Sequence, residues 1–149
     1  SSDIRIALEQ GNVEKAAEIL GYPYKFEGKV VRGFNVGSKI GFPTANLQSV
    51  HPDKQIPGLG VYAVKVSWNN KTMPGMMNIG YRPTLENGTH TSLEVHILNF
   101  EEDIYHQQLQ ISFIQKLRDE QKFENIDALI EQLKKDKLKV EAIFQSDER

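Results

Sequence analysis

The sequence predicts a mainly β domain, six strands closed into a small barrel, with a short helical segment before it and a helix after it. Three observations carry this. From Tyr24 to about Arg118 the chain runs in short alternating or β-branched stretches separated by glycine, proline and asparagine, the texture of an all-β unit. After Arg118 the apolar period becomes helical, with Ile126, Leu129, Ile130 and Leu133 at i, i+3, i+4 and i+7. The length, 149 residues, suits one ordinary domain rather than two separate cores.

Taken in order, residues 3–10 and 12–20 read as two helices. Gly11 interrupts them, Asn12 can cap the second, and Val13, Ala16, Ala17 and Leu20 sit at helical spacing. Gly21-Tyr22-Pro23 ends this pair and marks a boundary, leaving 1–20 as a linker or helical hairpin and 21–149 as the main domain. The strands are expected at 24–32, 45–48, 61–68, 75–80, 91–98 and 109–116. Asn69-Asn70 separates the third from the fourth, where asparagine tolerates the positive φ of a tight hairpin turn. Closing the strands on themselves follows from the edges: an open sheet of this size would need covering elements that the middle of the chain does not contain. The helical part runs from about 124 to 145, capped by Asn125 and continuing loosely through Val140, Ile143 and Phe144, with a break placed near Asp136.

Composition narrows the function. Lys+Arg 18 against Asp+Glu 20 gives a formal net charge of −2, so no global positive field would hold a nucleic acid. There are no cysteines, which excludes disulfides, thiolate metal sites and cysteine nucleophiles and is compatible with a reducing cytoplasm. No apolar run approaches the roughly 20 residues that span a bilayer, so a soluble, cytoplasmic protein is expected. The four histidines, His51, His90, His96 and His106, form no HxH or HExxH arrangement, and no Gly-x-Ser-x-Gly elbow is present. Zinc hydrolysis and acyl transfer are therefore poorly supported.

Four places carry possible chemistry, each with a plainer alternative. Gly33 to Gly41 holds three glycines and Lys39; it is either a phosphate cradle or a glycine-rich loop between strands, and it is not a Walker A loop. Behind it stands Phe42-Pro43-Thr44-Ala45-Asn46. Pro43 stiffens the segment, so Thr44 and Asn46 project two residues apart on one face, able to offer hard oxygen ligands to Mg²⁺ or simply to satisfy a turn. In Thr91 to Ile97, alternation sends Leu93, Val95 and Ile97 inward and Ser92, Glu94 and His96 outward. Glu94 is then either a solvated strand residue or a carboxylate placed to act as a general base. Arg118 and Phe123, from the strand-to-helix junction, could cap the helix or hold a planar polar ligand by hydrogen bonding and stacking.

Together, Gly-Lys-Val-Val-Arg-Gly-x-x-x-Gly-Ser-Lys (28–39), Gly-Phe-Pro-Thr-Ala-Asn-Leu (41–47), Gly-Val-Tyr-Ala-Val (60–64), Asn-Ile-Gly-Tyr-Arg-Pro-Thr (78–84), Leu-Glu-Val-His-Ile (93–97) and Leu-Arg-Asp-Glu-Gln-Lys-Phe (117–123) resemble the riboflavin kinase family in order and spacing. The resemblance implies a six-stranded antiparallel Greek-key barrel with a C-terminal helix. It also implies transfer of phosphate from ATP to the ribityl 5′-hydroxyl of riboflavin, giving FMN and ADP. By the same resemblance Gly33 and Lys39 would close on the ATP phosphates, Thr44 and Asn46 would bind Mg²⁺ with Thr44 also beside the phosphates, Glu94 would accept the hydroxyl proton, and Arg118 and Phe123 would contact the flavin. The opening Ser1-Ser2-Asp3-Ile4-Arg5 is similar to the motif that closes the adenylyltransferase module of bacterial bifunctional riboflavin kinase/FAD synthetases. On that likeness residues 1–20 are the remnant of a preceding adenylyltransferase domain, most of which is missing, and FAD synthesis is expected only of a longer parent chain. The other readings are a non-catalytic flavin- or nucleotide-binding barrel and an oligonucleotide-binding barrel; the charge balance disfavours the latter.

Overall fold

The computed structural model describes residues 2–31, 40–83 and 89–147. Two helices open it, α1 (Ser2–Glu9) and α2 (Val13–Leu20), followed by strands β1 (Lys25–Val31), β2 (Ala45–Ser49), β3 (Gly60–Trp68), β4 (Lys71–Pro83), β5 (Thr89–Ile97) and β6 (Gln108–Arg118), and by the helix α3 (Ile126–Asp147). The strands close in the order β1-β2-β5-β4-β3-β6, and every pairing is antiparallel. Strands β3, β4 and β5 run side by side in sequence order and β6 returns to lie against β3, which is the Greek-key arrangement. The expected fold class is thus the observed one.

Local chemistry explains the element boundaries. Asn12 Oδ1 accepts from the Lys15 backbone N–H at 3.1 Å at the start of α2, and Gly21 ends it in the left-handed conformation, its N–H bonded to the Ala17 carbonyl. Asn69 and Asn70 both take positive φ, 52° and 63°, and turn β3 into β4. Asn125 caps α3, its Oδ1 accepting from the Ala128 N–H at 2.9 Å. Strand β4 is longer than the 75–80 expected, because the hairpin ladder is continuous from the turn through Pro74, opposite Lys65.

Two apolar clusters hold the molecule together. The first fills the barrel: Phe26, Leu47, Tyr62, Val64, Val66, Met77, Ile79, Leu93, Val95, Ile97, Leu109, Ile111 and Phe113 point inward from all six strands. Phe113 stacks on Phe26 at 5.8 Å and meets Tyr62 edge-on at 5.4 Å. The helical pair belongs to this body, since Ala7, Leu8, Val13 and Ala16 are buried in the same cluster. The Gly58 N–H donates to the Leu8 carbonyl at 2.8 Å, and a Cβ at residue 58 would stand 2.3 Å from the Glu9 carbonyl oxygen, so this approach requires glycine.

The second cluster lies outside the barrel. Phe42, Ala63, Met76 and Leu98 face Val140 of α3, with Leu133, Ile143 and Phe144 packed around them. The break expected near Asp136 does not occur: α3 runs unbroken through it. Asp136 is fully buried, and its carboxylate is ion-paired with Arg118, so a charged residue sits on the docked face rather than ending the helix.

Candidate active site

The outer faces of β3, β4 and β5 meet the β6–α3 junction and α3 around a cavity of about 390 Å³, within the ordinary range for small-molecule sites. Ladder register decides which side chains reach it. Glu94 on β5 lies opposite Asn46 on β2 and Asn78 on β4, and Asn78 lies opposite Val61 on β3. Residues directly opposite in a sheet share a face. Leu93 and Val95 point into the barrel, so this row points out, as alternation in the sequence predicts.

Glu94, Asn78 and Val61 line the cavity together with Phe42, Met76 and Phe123. Thr44 lines it too, and also borders a second cavity, of about 400 Å³, where Asn46, Val31 and Glu101 are found. Thr44 is therefore shared between a largely apolar pocket beside the carboxylate of Glu94 and a neighbouring one at the end of β1. The glycine-rich segment that follows Val31 includes Gly33 and Lys39, and both lie outside the described residues.

The Pro-Thr-Ala-Asn segment is held from behind by His96. Its Nδ1–H donates to the Pro43 carbonyl at 2.7 Å, and its ring meets Phe42 edge-on at 5.3 Å. Only 8% of His96 is exposed. Burial pushes its pKa below the ordinary 6.5, Lys137 pushes the same way, and the bond to Pro43 opposes them. A neutral imidazole is the form that this packing favours.

Arg118 reaches the cavity at the irregular end of β6. The register against β3 shifts twice, between Ala63 and Val64 and between Val61 and Tyr62, and Arg118 comes to lie opposite Val61 on the outer face. There its Nε lies 3.0–3.1 Å from both Asp136 carboxylate oxygens, Nη2 lies 2.9 Å from Oδ2, and Nη1 donates to the Asp119 carbonyl at 3.2 Å. Gln132 Nε2 donates to Asp136 as well, at 2.9 Å. All three guanidinium nitrogens are thus engaged within the protein, and Phe123 covers the group with its ring centroid 5.7 Å from Cζ. The junction crosses β4 closely: a Cβ on Gly80 would meet the Glu120 carboxylate at 2.1 Å, so glycine there lets Glu120 lie at the cavity wall.

Of the seven residues singled out in the sequence, Thr44, Glu94, Arg118 and Phe123 line one cavity and Asn46 lines its neighbour. Asn78, His96, Glu120 and Asp136 were not singled out for a role. The signal for Asn78 was present in its alternation with Met77 and Ile79; the link from Arg118 to Asp136 spans 18 residues and leaves no periodic trace.

A closed barrel that carries its cavity on the outside, with the carboxylates of Glu94 and Glu120 among hydroxyl and amide groups and an apolar wall, is suited to a flat ligand with a polar tail. The family model described as Flavokinase, riboflavin kinase, matches residues 20–144, and the chain belongs to this family. It is 44% identical to the bifunctional riboflavin kinase/FMN adenylyltransferase of Listeria monocytogenes, over 97% of this chain and 46% of that protein. The chain spans about half the length of the curated relatives it matches. Among solved structures, one described as a macrolide-efflux protein from Streptococcus pneumoniae superimposes with a TM-score of 0.87 at 36% identity, covering 92% of this chain and 44% of that one. The riboflavin kinase of Trypanosoma brucei superimposes with a TM-score of 0.56 at 25% identity, covering 83% of this chain and 80% of that one. Among the described residues, no helix is long and apolar enough to cross a membrane.

Proposed function

We propose that this chain transfers the γ-phosphoryl group of ATP to the ribityl 5′-hydroxyl of riboflavin, giving FMN and ADP. The observation that carries the reading is the convergence of Glu94 and Thr44 on one largely apolar cavity, with Asn46 opposite Glu94 in the ladder. The apolar wall of Phe42, Val61, Met76 and Phe123 suits the flat heterocycle, and Glu94 is then left for the polar tail.

In this mechanism Glu94 takes the proton of the 5′-hydroxyl as its oxygen bonds to the γ-phosphorus, and the bond from that phosphorus to the ADP oxygen breaks. The phosphates of ATP lie beside Thr44, with Gly33 and Lys39 contributing from the segment after β1. Among the described residues no cluster of three or more His, Cys, Asp or Glu side chains could cage a metal. A hydroxyl and an amide oxygen are nevertheless the hard, sparse donor set that suits Mg²⁺, which keeps most of its positions for phosphate and water. Thr44 and Asn46 would hold it, and it would supply neutralisation of phosphate charge. Arg118, anchored by Asp136 and Asp119, fixes the junction and, with Phe123, contacts the flavin, the second N–H of each terminal nitrogen being left over by those bonds.

The chain works in the cytoplasm as the kinase part of a longer protein. Residues 1–20 are its connection to a preceding adenylyltransferase domain, and FAD synthesis requires that domain. Flavin fluorescence after chromatographic separation tests the activity: riboflavin and ATP should yield FMN only with Mg²⁺, and Glu94→Gln should abolish most of it while still binding riboflavin. A folded protein that binds riboflavin and forms no FMN, with and without the remainder of the longer chain, would be a flavin-binding barrel instead.

A further inference from the structure

Among the described residues, one buried side-chain polar atom finds no hydrogen-bond partner: Asn78 Oδ1. Buried carbonyl oxygens are ordinarily paired, and one that is not needs a reason. Its place supplies one. Asn78 stands directly across from Glu94 in the β4–β5 ladder and lines the same cavity, between strand neighbours Met77 and Ile79 that are fully buried in the barrel. Opposed Cβ atoms in an antiparallel ladder are about 5 Å apart. The nearest cavity walls, Val61 and Met76, have no side-chain donor to offer.

We propose that Asn78 Oδ1 accepts a hydrogen bond from a hydroxyl of the substrate's ribityl chain and so sets the terminal hydroxyl against Glu94. The inference rests on the riboflavin kinase reading and adds a substrate-positioning residue to it. An amide oxygen requires a donor, and riboflavin carries donors on its ribityl chain and on the ring N–H. With the terminal hydroxyl at Glu94, one ladder step reaches another hydroxyl of the same chain. The ring N–H lies beyond the whole polyol and the width of the heterocycle, too far from Glu94 to be the partner. A site that depends on such a bond discriminates strongly against ligands lacking the group, because the buried oxygen is then left unpaired.

The test compares riboflavin with lumiflavin, which has the ring and no polyol. Asn78→Leu should leave thermal stability unchanged or raised, since the orphaned polar atom is removed. It should lower kcat/KM for riboflavin by about 10–100-fold, with kcat falling as well as KM rising, because the hydroxyl is misplaced as well as less tightly held. Lumiflavin affinity, read from fluorescence quenching, should stay within about twofold of wild type, which a general disturbance of the cavity would not permit. Asn78→Ala should show the same contrast and serves if the leucine disturbs the sheet. Wild-type kcat/KM in a folded Asn78 variant, or equal weakening of riboflavin and lumiflavin, overturns the assignment. If wild-type protein itself forms no FMN, the kinase reading fails first, and that result is separate from any property of the variants.

Discussion

The inside of the barrel and the groove beneath α3 are two faces of the same strands, and they are filled by different rules. Inward positions are aliphatic or aromatic with few exceptions, and Phe113, Phe26 and Tyr62 interlock there by shape. Outward positions under α3 mix Met76 and Phe42 with His96, Asn78, Glu94 and the Arg118–Asp136 pair. The interior gains from burying apolar area and needs nothing from a ligand. The groove retains polar groups that are costly to bury, and several of them face a cavity. The difference teaches where each kind of substitution should act: loss of interior volume should cost stability, and changes in the groove should cost activity, with or without stability.

The largest expected effect is on chemistry. Glu94→Gln should lower kcat by about 10²–10⁴-fold, the usual contribution of a positioned general base, while its denaturation midpoint stays at the wild-type value. A variant that kept wild-type turnover would remove Glu94 from the base role. Next, and in the opposite sense, Phe113→Ala should cost about 3–5 kcal/mol of stability by urea unfolding, because the side chain is fully buried and flanked by two aromatic rings. Its folded fraction should turn over riboflavin nearly as well as wild type.

The Arg118–Asp136 pair blurs the division and so sharpens it. Asp136 is wholly buried and the Arg118 side chain is 14% exposed, so Arg118→Met leaves a buried carboxylate without its partner and should cost about 3 kcal/mol. The double variant Arg118→Met/Asp136→Leu should recover much of that stability, as replacement of a buried pair by apolar groups often does. Activity should stay low in both, because the β6–α3 junction loses the tie that holds Phe123. Recovery of activity along with stability would show that the pair serves the fold alone.

The smallest effect concerns pH. His96 has a pKa below 6.5 in the folded protein, chiefly through burial, so on acidification the unfolded chain takes up its proton first. The contribution is intact above pH 6.5 and declines as the pH falls below it. Thermal unfolding between pH 7.5 and 5.5 should therefore show a shallower loss in His96→Gln than in wild type. Equal slopes would mean that His96 titrates alike in both states.

Much of the barrel was legible because strand periodicity and turn chemistry are local. The Asn69-Asn70 turn, the Asn12 and Asn125 caps and the inward set Leu93, Val95 and Ile97 could all be read from neighbours a few residues away. Strand β4 extends past the expected 75–80 at both ends because the Asn-Asn turn commits β3 and β4 to one ladder and the far end pairs on with β5, and neither pairing is a local signal. The helix at Asp136 misled for a related reason: a lone acid on an apolar face looks like an interruption unless its partner is known. That partner, Arg118, lies 18 residues away on another element, a separation that no local period announces.

By itself, then, the sequence determined the strands, their inward faces, the caps and turns, and the family to which the chain belongs. Only the tertiary structure decided that α1 and α2 pack on the barrel, that Thr44 stands between two cavities, and that Asn78 faces Glu94 with an unpaired oxygen. The physical reason is that period and propensity record whether a side chain is covered, while closure of the sheet and docking of α3 determine what covers it.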